Sequence, residues 1–253
     1  MSVMVESGGV SAGAPSAPSL WQRTVAVFAR PGNAWSGLHE RGQWWFPLLL
    51  GLVVTISGYA LTYERAQVPT IREHMERQVD SGEMPPEALE RVERQLSSPL
   101  MKTFNIGSLV IVLPLMLAVT ALLPWLAAGF MLGRPFSYRD AFSVTAWAGL
   151  VRIPAEVLVY VLAWVNQTMT GIHVGFGVLL PAGDPPSKLL TGLGVFLDYG
   201  IGPFYVWYLA LLILGTAALS GAPRRAVAWI LSGLYLVFVI LFAALAAIFT
   251  PGA

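Results

Sequence analysis

One stretch of the chain is apolar except for Arg152 and Glu156, which stand four residues apart with Pro154 between them. From Ala141 to Gly183 no other Asp, Glu, Lys or Arg occurs. That spacing puts both side chains on one face of a helix, where they can form an ion pair. An ionised group at a bilayer centre costs about 2.5–3.5 kcal/mol on insertion scales, so it faces a bundle interior or a water-filled cavity. The order Arg then Glu is the weaker one for an isolated helix, which points to a third partner. Pro154 lacks an N–H and frees the Leu150 carbonyl, for Arg152 or a neighbouring chain to satisfy. Two roles fit this pair. One is functional: a proton or anion pathway, or a polar contact to a partner helix. The other is a structural staple between spans.

Other candidate chemistry is thinner. Asp198 precedes Gly202-Pro203 and reads either as a plain loop carboxylate or as an interface residue. His173 lies in the glycine-rich run 171–177 and reads as an interfacial side chain. His39, His74 and His173 fall in separate segments without ligand spacing, so no metal site is expected. The chain has no Cys, hence no thiolate nucleophile and no disulfide framework. It has no phosphate-binding loop and no Gly-x-Ser-x-Gly elbow. No catalytic residue, cofactor or nucleic-acid partner is expected.

Composition sets the elements that must hold the pair. Of 253 residues, 56% are hydrophobic and 11% are charged, against roughly 25% charged in soluble domains. The expectation is an all-α, polytopic membrane bundle of five transmembrane helices, over 44–63, 106–132, 141–165, 204–219 and 227–249. Residues 1–19 are small and polar and read as a disordered tail. Residues 20–43 mix Trp and Arg as an interfacial segment, with Asn33 as a helix cap after Arg30-Pro31-Gly32. Residues 44–250 read as the membrane domain. Pro114 and Pro124 suggest a kinked or broken second span, and Gly129 and Gly133 form a GxxxG packing pair.

Between spans one and two, residues 64–104 carry fourteen charges, eight acidic and six basic. Ile71, Met75 and Val79 recur at four-residue spacing, and Leu89, Val92 and Leu96 form a second narrow stripe. A break at Ser81-Gly82 and a restart at Pro85-Pro86 make this a charged extramembrane helical hairpin. Its stripes are too thin for a core of their own, so either they dock on the spans, on another copy or on a partner, or the hairpin is a charged element that is merely solvated. With Asp198, these six residues form the expected partner interface. Tight loops rich in Arg place the N-terminus in the cytoplasm and, after five spans, the C-terminus outside.

The opening Phe28-Ala29-Arg30-Pro31-Gly32-Asn33-Ala34-Trp35, followed by Trp44-Trp45-Phe46-Pro47-Leu48, resembles the start of bacterial Yip1-domain proteins. The hairpin with Met84-Pro85-Pro86-Glu87 is similar, as are Phe196-Leu197-Asp198 and Phe204-Tyr205-Val206-Trp207-Tyr208-Leu209. So is Leu214-Gly215-Thr216-Ala217-Ala218-Leu219-Ser220-Gly221. The resemblance covers roughly residues 21–250 and implies a five-span protein of the bacterial cytoplasmic membrane. Eukaryotic relatives work with small GTPases in vesicle traffic, but this chain lacks their Asp-Leu-Tyr-Gly element. Some bacterial relatives occur beside ABC exporters of the macrolide-exporter type, as accessory subunits. The resulting expectation is a non-enzymatic accessory or scaffold protein in contact with lipids and another integral membrane protein, or with its own copies. The alternative is a small transporter or lipid-handling protein that uses Arg152 and Glu156.

Overall fold

A computed structural model of the chain describes residues 18–82, 84–96, 98–181 and 187–249. The expected tail lies outside the described residues except for residues 18 and 19. All regular structure among the described residues is helical. Five helical stretches are long and apolar enough to cross a membrane: Trp45–Asp80, Pro99–Met131, Tyr138–Asn166, Pro203–Ser220 and Arg224–Phe249.

Helix α1 (Leu20–Ala29) starts at Ser19, whose hydroxyl accepts from the Gln22 N–H while Gln22 reaches back to the Ser19 N–H. This reciprocal cap satisfies two backbone donors at the helix start. The segment is more than an interfacial flank. Val27, Ala34, Trp35 and Leu38, the first residue of the short α2 (Leu38–Arg41), are buried in the main core. Arg23 is fully buried too; it donates to the Ala34 and Ser36 carbonyls and lies 5.4 Å from the Trp147 ring. Burial and then the nearby Arg41 lower its pKa to about 10, so the side chain stays charged at neutral pH. Asn33 does not cap a helix. It ends a 3-10 turn, and Gly37, at φ 64, precedes α2.

The first span begins as α3 (Trp45–Thr62) and runs through one wide π-type turn, Tyr63–Gln67, into α4 (Val68–Asp80). Helix α5 (Pro86–Leu96) lies against α4, joined by the Arg72–Glu93 ion pair at 2.8 Å. Ile71, Met75, Val79, Leu89, Val92 and Leu96 are all half-buried, so this chain already covers part of both stripes. The start of α4 is fixed from outside. Thr70 accepts from the Met169 N–H at 2.8 Å, and Arg65 donates to the Trp164 carbonyl.

Helix α6 (Pro99–Trp125) keeps both Pro114 and Pro124 inside one continuous helix and ends in a π-type turn, Leu126–Met131. Gly129 and Gly133 do not pair two spans. Gly133 has φ +59 with open space around it, and a Cβ on Gly129 would meet the Phe136 carbonyl of the following loop.

The third span is not one α-helix. Helix α7 (Tyr138–Gly149) gives way to a 3-10 turn, Leu150–Arg152, and then to α8 (Ile153–Asn166). Pro154 sits in the first turn of α8, where its missing N–H costs nothing. The Ile153 N–H donates to Leu150, so that carbonyl has a backbone partner. Helix α9 (Lys188–Val195) continues into a π-type turn, Phe196–Gly200, followed by α10 (Pro203–Ser220) and α11 (Arg224–Phe249). The core joins α1, α2, α7, α10 and α11 through Trp147, Leu211, Leu212 and Leu231.

Candidate functional site

Arg152 is the last residue of the 3-10 turn and caps α8, on whose first turn Glu156 lies. The expected ion pair does not form, because each side chain is taken up by a different neighbouring helix. Glu156 faces α3, and its Oε2 accepts from the Thr55 hydroxyl at 3.0 Å. Arg152 faces α10, with its guanidinium carbon 4.7 Å from the Tyr208 ring and 5.9 Å from the Tyr205 ring. A cation over an aromatic face is stabilised by the ring quadrupole. The third partner for Arg152 is therefore a pair of tyrosines one helical turn apart on the fourth span.

Stacking leaves the guanidinium edge unused. Arg152 has five N–H donors, and none finds a side-chain hydrogen bond among the described residues. Its Nε is enclosed and without a partner, and so is the buried Tyr208 hydroxyl. By contrast, the Tyr235 hydroxyl donates to the Tyr199 carbonyl at 3.0 Å.

Both charged residues open onto cavities. A small one of about 70 Å³ lies between α3, α6 and α7 and includes Thr55, Gly149, Arg152 and Glu156. A larger cleft of about 450 Å³ holds Arg152, Glu156, Tyr199, Tyr205, Tyr208 and Tyr235 at its polar end. Its apolar wall comes from α6 and α11, with Leu113, Leu117 and Phe238. Such a volume, mostly apolar with a few converging polar groups, is typical of small-molecule sites.

Asp198 is neither a free loop carboxylate nor an outward docking residue. It is 6% exposed, and one oxygen accepts from the Gly175 and Gly177 N–H groups at 3.0 Å each. Its other oxygen lies 2.6 Å from His173 Nδ1. Run 171–177 is thus folded onto the turn that leads into α10. Next to Asp198, Tyr199 lines the cleft, so the clasp holds one wall of it. A second His–Asp contact, His39 to Asp140 at 2.8 Å, joins α2 to the start of α7, where Ser137 and Asp140 form a capping box.

Arg152, Glu156, Pro154 and Asp198 stand out in the sequence, whereas Tyr205, Tyr208 and the His173–Asp198 contact emerge in the fold. The signal for the tyrosines was available, since Tyr205 and Tyr208 stand three apart inside an apolar helix.

Five membrane-length helices among the described residues define a polytopic helical membrane protein. The family model for the Yip1 domain matches residues 25–245. The chain belongs to the Yip1-domain family. No curated protein and no solved structure shows significant similarity to it.

Proposed function

We propose that the protein is a non-enzymatic accessory or scaffold subunit of the bacterial cytoplasmic membrane. In this reading the N-terminus is cytoplasmic and the C-terminus outside. It packs against another integral membrane protein, and an ABC exporter of the macrolide-exporter type is the first partner to test. The observation that supports this is the second span. It is 33 residues long, or about 50 Å at 1.5 Å per residue, against about 30 Å of hydrocarbon. Its first turns therefore project beyond the bilayer core, and Lys102, paired with Glu64 at 3.0 Å, marks that end. Beside Lys102, Leu100 is 79% exposed and Phe104 is 69% exposed. Exposed large apolar side chains outside hydrocarbon mark a contact surface.

The test is a photocrosslinking amino acid at position 100 or 104 in cells that express the exporter. Adducts with its membrane subunit are expected. Lipid adducts alone, with a purely monomeric protein in mild detergent, would overturn the reading. A second reading, a small transporter or lipid-handling protein, is favoured by the cleft beside Arg152 and Glu156.

A further inference from the structure

We propose that the cleft binds the anionic headgroup of a membrane lipid, with phosphate or carboxylate oxygens on Arg152 and Tyr208 and an acyl chain along α6 and α11. The proposal rests on the second reading above and names its ligand class.

Three observations meet at this place. First, the unmet groups can all donate. Arg152 Nε and the Tyr208 hydroxyl are enclosed without partners. An unpaired buried donor costs about 1–3 kcal/mol, and two at one site call for an acceptor-rich group. Second, Arg152 makes no ion pair within 4 Å among the described residues. Glu156 is bonded to Thr55 instead, and Tyr199, Tyr205, Tyr208 and Tyr235 line the polar end of the cleft beside Arg152. A guanidinium with free edge donors matches phosphate or carboxylate geometry. Glu156 sets a limit on the ligand: the anion must sit on the tyrosine side of Arg152, away from the Thr55–Glu156 contact. Third, the cleft opens sideways. Met116 of α6 and Phe242 of α11 line it and are 37% and 45% exposed. Its rim is apolar, so a ligand entering from the bilayer keeps its chain in an apolar setting. A free anion would gain nothing from that wall.

The same oxyanion chemistry could be supplied by a soluble ion, so the experiment separates the sources. The full chain is placed in nanodiscs doped with phosphatidylglycerol carrying a diazirine in its acyl chain. Adducts are then mapped by mass spectrometry. Labelling is expected at Met116, Phe238 and Phe242, competed by unlabelled phosphatidylglycerol but not by phosphatidylcholine or by inorganic phosphate in solution. Arg152→Gln should reduce it about tenfold, and Tyr208→Phe about threefold, from the loss of charged and neutral hydrogen bonds. Equal labelling by a diazirine phosphatidylcholine would overturn the anion selectivity but leave the lipid-handling reading standing. No labelling of the cleft by either lipid would overturn both. Competition by inorganic phosphate would assign the site to a free ion and overturn the proposal. If Arg152→Gln does not fold, Tyr208→Phe decides. It removes a hydroxyl that has no partner in the fold. Native mass spectrometry of the two folded proteins then reads retained phosphatidylglycerol directly, and equal retention counts against the proposal.

Discussion

Asp198 carries more of the local structure than its place beside a loop suggests. One buried carboxylate fixes two backbone N–H groups and an imidazole from a segment more than twenty residues earlier. Charge-assisted bonds of this kind are stronger than neutral ones. Asp198→Ala should therefore destabilise the protein by about 2–4 kcal/mol, and Asp198→Asn by less, since the amide keeps one acceptor oxygen. Thermal unfolding in detergent reads this. Combining each with His173→Gln should give a coupling energy above about 0.5 kcal/mol, because the residues touch. Gly177 is part of the same clasp. A Cβ there would lie 2.6 Å from Asp198 Oδ2 and would also meet His173 Nδ1. Gly177→Ala should lower the melting temperature, while Gly107→Ala, with nothing within 4 Å, should not.

At the scale of elements, close approach between helices is set by single glycines. Gly215 of α10 faces Val144 of α7 and the Trp35 ring, and a Cβ would come within 2.7 Å and 2.9 Å of them. Gly215→Ala overpacks this contact and should cost about 1–3 kcal/mol. Gly233 on α11 has nothing within 4 Å, and Gly233→Ala should be neutral or slightly stabilising, since alanine is the better helix former. Equal melting temperatures for the two variants would show that α7 and α10 are not packed as described. The start of α7 offers a separate check. Ser137→Ala removes a capping box and should cost about 1 kcal/mol.

For the whole molecule, the lack of cysteine makes topology directly measurable. In the proposed orientation the α4–α5 region is outside and the turn before α11 is cytoplasmic. A single cysteine at exposed Ser81 should react with an impermeant maleimide in intact cells. One at Arg225 should react only after permeabilisation. The reverse pattern would invert the protein and place α4 and α5 beside cytoplasmic partners.

The five spans, their all-helical character and the singular position of Arg152 and Glu156 were readable from the residues. Apolar runs of membrane length have one low-energy conformation, and rare intramembrane charges stand out against them. Tertiary structure decided what those charges meet. Four-residue spacing allows an ion pair, but here Arg152 lies over Tyr205 and Tyr208 of α10 while Glu156 bonds Thr55 of α3. Likewise, nothing local tells Asp198 from a surface carboxylate. Its burial depends on a glycine-rich run folding back onto it, and only the packed chain brings the two together.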